Sequence, residues 1–398
     1  MTATRQVQFT MISTSSVLLL AFELSASKWL LGFGTGLGKC RRVEIDAGDM
    51  PRLAREIALA KTKFKLPPSA PVKSLYEAGR DGFWIHRWLI ARGIENQVID
   101  SASIEVDRRQ RRAKTDRLDV EKLLLLLARQ QLGELTALKA VHCPTAEDED
   151  RRQLHRDLEV LKQEQSEHTV RIGSLLVTLG LKPPKLNREF PLLLAKLRQV
   201  NGAPVPPGMR ERLLREFARW ELVHQQIAKL ERQRAIRIRD EETPDILQVR
   251  QLLELRGIGL QGAWLFTQEL FAWRNLKNRR QVGAVAGLTG TPHASGDSSR
   301  EQGISKAGNR RVRTLAVELA WLWTRFQPES KLTLWFAEKF GHGKRQRKIG
   351  IVALARKLLI ALWRWVTHGE VPEGATLVNW QDKLRISRGA AKLQGATS

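Results

Sequence analysis

The sequence predicts an α/β amino-terminal part followed by a mostly helical remainder, and three observations carry that prediction. Short apolar runs alternate with helix-period stretches over the first 135 residues. From about 145 to 240 the strand patterns vanish, charge rises, and heptad-like spacing appears in 147–180 and again in 208–240. From 246 onward helical runs dominate, ending in a strongly amphipathic stretch at 348–367. Periodicity near two argues for strands and periodicity near 3.6 for helices, so the change of period marks a change of architecture.

Taken in order, residues 16–24 form a first apolar run and 28–34 a second, joined by Ser25-Ala26-Ser27 as a hairpin would be. A third strand near 41–46 follows the glycine-rich turn 34–38. Helical spacing then covers 49–62, and the loop 65–71 is rich in proline. A strand at 72–76, a helix at 81–92, a strand at 96–100 and a helix opening at Asp116 complete this part. Three strands, then helix, strand, helix, strand, helix is the element order of an RNase H-like fold. Pro183-Pro184 and the prolines from 204 to 207 cut the charged middle into pieces. Long charged helices of that kind form coiled-coil pairs or span between domains. The boundaries predicted are 1–135, 136–245 and 246–380, with a polar, disordered tail over 381–398.

Composition points to a partner. The chain has 398 residues, of which 67 are Lys or Arg, and a net charge of +25. So basic a surface attracts a polyanion, and counterion release makes nucleic acid the expected ligand, with the basic segments 107–114, 151–156 and 310–313 expected to hold RNA and DNA backbones by charge. A membrane is not expected, because no apolar run approaches the roughly 18 residues that a spanning helix needs. The run 17–22 is too short and lacks a cleavage site of small residues. Two cysteines, Cys40 and Cys143, offer neither a disulfide framework nor a metal cluster, so the expected compartment is the reducing cytoplasm.

Within this basic chain the acids stand out. Lys114-Thr115-Asp116-Arg117-Leu118-Asp119 puts two aspartates one helical turn apart, on one helix face. Aspartates in a first turn also complement the helix dipole, and that is the plain alternative. Glu23 ends the first strand and Glu77 ends the strand at 72–76. In an RNase H-like sheet these strand ends converge with the start of the last helix. Glu23, Glu77, Asp116 and Asp119 would then form a four-carboxylate cluster with oxygen ligands for Mg²⁺. Two such ions roughly 3.5–4 Å apart clamp the attacking and leaving oxygens of a phosphodiester. The alternative for each glutamate alone is a solvated carboxylate at a strand end.

Other segments are less specific. The glycines of 32–39 match neither phosphate-loop nor dinucleotide spacing, so they read as a hairpin turn. Leu255-Arg256-Gly257-Ile258-Gly259, between helical runs at 247–255 and 260–271, fits either a helix-hairpin-helix holding a DNA phosphate or an ordinary turn. Trp84 and Trp88, four apart on a helix, are expected in the core. Segment 286–318 holds Ser295-Gly296 in a glycine-flanked loop, then Gly303-Ile304-Ser305-Lys306-Ala307-Gly308-Asn309, then three arginines opening a helix. A serine there could serve as a nucleophile if cations or metal ions neutralise the reacting phosphate, or it could be an ordinary turn residue.

The chain resembles the DEDD transposases of bacterial insertion sequences, bridge-RNA-guided recombinases related to the Piv-type DNA invertases. The matching residues run over nearly its whole length. They are Tyr76-Glu77-Ala78-Gly79, Lys114-Thr115-Asp116 with Asp119, Gly257-Ile258-Gly259, Ala286-Gly287-Leu288-Thr289, Ser295-Gly296, and Ile304-Ser305-Lys306-Ala307-Gly308-Asn309. The resemblance implies a RuvC-like catalytic domain, a coiled-coil linker and a helical transposase domain. It carries the last three members of the acidic quartet onto Glu77, Asp116 and Asp119, and a catalytic serine onto Ser295, which would form a phosphoserine link to DNA. It further implies Mg²⁺ as cofactor, donor and target DNA and a guide RNA as partners, and a homo-oligomer, dimer or tetramer, with a composite site. The family's first acid is normally aspartate, where this chain has Phe22-Glu23. A Piv-like invertase, a metal-only RuvC-like junction nuclease and a non-catalytic nucleic-acid-binding protein are the alternatives.

Overall fold

Leu18–Leu24 is apolar on both of its faces, and a strand of that kind has to lie inside a sheet covered on both sides. In the computed structural model, which describes residues 16–38, 40–100, 116–134, 138–295 and 298–385, it is the central strand β1. The chain returns as β2 (Lys28–Gly34) and β3 (Arg41–Asp46), each antiparallel to the strand before it. Helix α1 (Met50–Lys63) starts at Asp49, whose carboxylate accepts a hydrogen bond from the Arg52 backbone N–H. β4 (Val72–Glu77), α2 (Trp84–Ile90), β5 (Glu95–Ile99) and α3 (Asp116–Gln131) follow. The sheet order is β3-β2-β1-β4-β5, with β4 parallel to β1 and β5 parallel to β4.

The two-residue period of β1 sorts the helices. Leu18, Leu20 and Phe22 pack with Leu53 and Ile57 of α1 and with Ile85 and Leu89 of α2. Leu19 and Ala21 face the other way and pack with Leu75 and with Val120, Leu123 and Leu127 of α3. α2 is shorter than the expected 81–92, because the Tyr76 hydroxyl donates to the Gly82 carbonyl at 3.0 Å and holds the preceding residues as a loop. Trp84 packs tilted against Trp29, ring centroids 5.8 Å apart, but stays 39% exposed, so of the two tryptophans expected in the core it is at the surface.

The chain divides into two compact units, Met1–Pro144 and Thr145–Ser398. The second opens with α4 (Ala146–Arg151), started by a reciprocal capping box between Thr145 and Asp148. α5 (Gln153–Val177), α6 (Phe190–Lys196) and α7 (Pro207–Asp240) end and restart at the prolines. α5 and α7 lie antiparallel, joined by Lys162–Glu231 at 2.8 Å, Gln165–His224 at 3.0 Å and His168–Glu216 at 2.8 Å. The expected pairing of long charged helices therefore forms as a hairpin.

α8 (Pro244–Leu253) follows, and its buried Arg250 donates to the carbonyls of Ile238, Arg239 and Glu241, closing the α7 terminus. α9 (Leu260–Phe266) runs into a π-helical turn, Thr267–Phe271. Then come α10 (Arg279–Val285), an antiparallel hairpin of β6 (Gly290–Ser295) and β7 (Ser298–Ile304), α11 (Arg310–Phe326), α12 (Lys331–Phe340) and α13 (Lys344–His368). Buried Trp264, Leu319, Trp323, Leu358 and Leu362 centre this core. Where the sequence suggested a tail from 381, residues 380–385 are helical: Leu384 is buried and Lys383 Nζ donates to the Leu255 and Ile258 carbonyls. The rest of that tail lies outside the described residues. Among the described residues no helix is long and apolar enough to cross a membrane.

Candidate functional site

The acids of the first unit come together through strand register. β1 and β4 pair in parallel as far as Phe22 opposite Tyr76, so Glu23 and Glu77 are the next residues on neighbouring strands, at the same end of the sheet. One position beyond Phe22 and Tyr76, both fall on the side of Ala21 and Leu75, the α3 side. They line a cleft of about 260 Å³ together with Ser25, Gly79, Arg80 and Asp81. Phe22 and Tyr76, edge to face at 6.4 Å, also border it. Burial pushes the Tyr76 hydroxyl well above the usual phenol range, so it stays a neutral donor to Gly82 and shapes the rim.

The packing of α3 fixes where its first residue falls. Val120 packs over Gly32 and Leu124 over Gly34; these glycines pair with Ala21 and Leu19. One turn of helix, about 5–6 Å, thus matches two residues of strand, about 6.6 Å. The step from Val120 back to Asp116 matches the step from Ala21 on to Glu23, so α3 begins level with the two glutamates. Asp119 is in the same first turn, 21% exposed, with Lys122 Nζ at 3.7 Å. The side chain of Asp116 lies outside the described residues. Among the described ones, no three His, Cys, Asp or Glu side chains stand close enough to share a metal ion. The donors are nonetheless all carboxylate oxygens, the chemistry a hard divalent cation requires.

Ser295 belongs to the second unit. The sequence suggested a loop, but Gly290–Ser295 pairs with Ser298–Ile304, because alternating main-chain bonds can form where side chains give no strand signal. Ser295 opposite Ser298 is the last pair before the turn, so it stands at the hairpin tip; its side chain lies outside the described residues. The hairpin root is tightly held. Ser305 N donates to Thr289 O at 2.8 Å, Lys306 N to Gly287 O at 3.1 Å, and Asn309 N to Val285 O at 2.7 Å. Gly287 (φ +66°) and Gly308 (φ +127°) lie where backbone meets backbone; a Cβ would fall 2.5 Å from Ala307 O at the first and 2.3 Å from Val285 O at the second. Arg313 seals the joint through the carbonyls of Ala286 and Lys306.

Comparison with known proteins supplies the class. The profile of the transposase IS116/IS110/IS902 family matches residues 249–334, the stretch that includes the hairpin and its root. The chain is 40% identical over 372 residues to a Sinorhizobium fredii protein named "Putative transposase y4rJ", covering 90% of this chain and 94% of that one. This chain belongs to the IS116/IS110/IS902 family of transposases. It is also 26% identical over 251 residues to the transposase for insertion sequence element IS1328 of Yersinia enterocolitica, covering 61% of this chain and 71% of that one.

The transposase uses its arginines differently from what the sequence suggested. Segments 151–156 and 310–313 looked like backbone-binding surfaces, yet most of their cations are engaged within the protein. Arg152 is buried over the Trp273 ring, Arg156 pairs with Glu269, Arg311 with Glu159, and Arg313 with carbonyls. Guanidinium groups satisfy internal acceptors as readily as phosphates, and composition cannot tell the two apart. Segment 107–114, the third such surface, lies outside the described residues. Exposed cations instead gather at the α12–α13 corner: Lys339, Lys344, Arg345, Arg347 and Lys348. The sequence reading passed over that run, which is visible as Lys344-Arg345-Gln346-Arg347-Lys348. Arg80 and Asp81 on the acid cleft and the buried Glu269 carry no comparable signal in the sequence. The Gly257 turn is clamped by Lys383 and by Gln327, which donates to Arg256 O at 2.8 Å.

Proposed function

We propose that this transposase breaks and rejoins DNA by phosphoryl transfer to Ser295, assisted by Mg²⁺ at Glu23, Glu77, Asp116 and Asp119 on an RNase H/RuvC-like sheet. The observation that carries the acidic half is the placement of Glu23 and Glu77 side by side at parallel strand ends, with the α3 start level with them. The sheet order β3-β2-β1-β4-β5, an antiparallel meander followed by parallel strands, supports the fold reading. Glu23 stands where the family's aspartate would, one methylene further from the backbone. Bound there, the metal would neutralise charge on the phosphate and lower the pKa of an attacking hydroxyl.

Ser295 Oγ would attack phosphorus in line. An O–P bond to serine forms as the bond to one bridging oxygen breaks, and the serine proton ends on the departing oxygen as a hydroxyl. Reversal on a second strand end rejoins the DNA and frees the serine. The rigid root of the hairpin suits this, since a nucleophile must be held within a fraction of an ångström. The family resemblance adds a guide RNA, a composite site in a dimer or tetramer and a helical linker, here 136–245, to the same proposal, and the two cysteines with no disulfide framework add a reducing, cytoplasmic location.

The test is Ser295→Ala in the full chain, with a plasmid bearing the element's ends and RNA transcribed from its flanks. Loss of a covalent protein–DNA adduct together with strand exchange supports the reading. Continued strand cutting without an adduct would establish the metal-only nuclease instead.

A further inference from the structure

Among the described residues Glu269 is the most thoroughly buried carboxylate of the second unit, 1% exposed, on the π-helical turn Thr267–Phe271. A buried charge survives only with partners. Here there are three: His155 Nε2 at 2.9 Å, Arg156 Nε at 2.9 Å, and Asn309 Nδ2 at 2.9 Å. Burial pushes the Glu269 pKa up, but the bonds from His155 and Arg156 and the Arg156 charge outweigh it, so the carboxylate is held ionised. π-helical turns inside α-helices are frequent at functional sites, and this one is occupied by a charge rather than by packing alone.

The third partner connects Glu269 to the hairpin. Asn309 is the N-cap of α11: its Oδ1 accepts from Arg311 N at 2.9 Å and Val312 N at 3.2 Å. Serine, threonine or aspartate would cap as well. Asparagine does both jobs at once here, capping with its oxygen while its nitrogen donates to Glu269; aspartate could cap but has no hydrogen to donate. From Asn309 the backbone leads straight into the root: its N–H holds Val285 O, Gly308 is jammed against the same carbonyl, and Lys306 (φ +56°) and Ser305 bond to Gly287 and Thr289, next to the first residue of β6. At Gly287 and Gly308 that path is enclosed so closely that not even a Cβ would fit. We infer that Glu269 is a positioning residue: through Asn309 it sets the orientation of the hairpin root and so the place of Ser295 during strand transfer. The inference rests on the reading of Ser295 as nucleophile.

The experiment uses the full chain, the plasmid with the element's ends and the flanking RNA. It measures adduct formation at saturating DNA, DNA affinity, and thermal midpoint. Asn309→Asp keeps the cap but cannot donate and sets two carboxylates together. Glu269→Gln removes the charge that orients the amide. Each is expected to slow adduct formation about a hundredfold, the scale of a 1 Å misplacement, with DNA affinity unchanged within about twofold. The reciprocal pair, Glu269→Gln with Asn309→Asp, rebuilds the bond in the opposite sense and is expected to recover at least about tenfold of the rate.

Single variants that react at the wild-type rate, or a double variant no faster than the slower single one, would overturn the inference. So would a rate loss that merely follows DNA affinity. If wild-type protein exchanges strands with no adduct, the serine reading fails, and the same comparisons made on strand-exchange rate still decide the Glu269–Asn309 coupling.

Discussion

Gly308→Ala probes the root of the hairpin most sharply. At φ +127° an alanine pays a conformational cost of about 1–2 kcal/mol, the range for an L-residue forced to positive φ. Its Cβ would also meet Val285 O at 2.3 Å, Val285 C at 2.9 Å and Ala284 O at 3.0 Å, all backbone atoms at the end of α10 that cannot rotate away. Overpacking of this kind costs about 1–3 kcal/mol, and contact with main chain places it at the upper end. The sum is about 3–5 kcal/mol. Gly303→Ala is the control, since φ is +91° there and nothing lies within 4 Å of the added carbon. It bears only the conformational part, about 1–2 kcal/mol. Thermal unfolding of the two variants in one buffer measures the difference, at about 2–4 °C per kcal/mol for a unit of this size. Gly308→Ala should fall below Gly303→Ala by about 5 °C or more, and should lose adduct formation even when folded. Equal midpoints would refute the claim that the root is closed by backbone contact.

Other expectations concern single groups. Glu23→Gln and Glu77→Gln should each lower strand exchange about a hundredfold or more, from several kcal/mol of lost metal assistance, with the fold kept as read by circular dichroism. Unchanged exchange would remove that glutamate from the site. Glu23→Asp in the same assay asks whether the longer side chain serves; a rate above wild type would show that it serves poorly. Glu269 has a folded pKa held below its usual 4.5, so its stabilisation is present above that value and is lost as pH falls through the acid range below it. Acid unfolding of Glu269→Gln should accordingly show a shallower pH dependence than wild type, and an identical slope would contradict the burial and pairing described. Burial lowers the Lys383 pKa to about 8. Lys383→Met leaves the Leu255 and Ile258 carbonyls without their donor and should cost about 1–3 kcal/mol in chemical denaturation.

Much of the local structure was legible because short-range physics decides it. The doubly apolar run 18–22 could only be an inner strand, and the prolines at 183–184 and 204–207 had to interrupt the long helices. The acid pair opening α3 was legible from its spacing, and Glu23 and Glu77 from their places at strand ends. The hairpin carrying Ser295 was not, since Gly-Thr-Pro-His-Ala-Ser has neither alternation nor β-branched density, and main-chain pairing alone makes it a strand. Nor were the roles of Arg152, Arg156, Arg311 and Arg313, because nothing local separates a guanidinium that meets a carbonyl from one that meets solvent. The importance of Glu269 was hidden for the same reason: its partners come from α5 and from the α11 cap, 113 and 40 residues away.

By itself the sequence determined which segments are strands and helices in the first unit, where the long helices stop, and the excess of positive charge that calls for a polyanion. These follow from period, proline and composition, each read within a few residues. Tertiary structure alone decided that Glu23 and Glu77 are neighbours, that α3 starts level with them, and that the Ser295 hairpin is rooted in a joint of interlocked backbone. Strand register and helix packing are set by contacts between distant segments, and burial, not residue type, determines which charges remain available for a ligand.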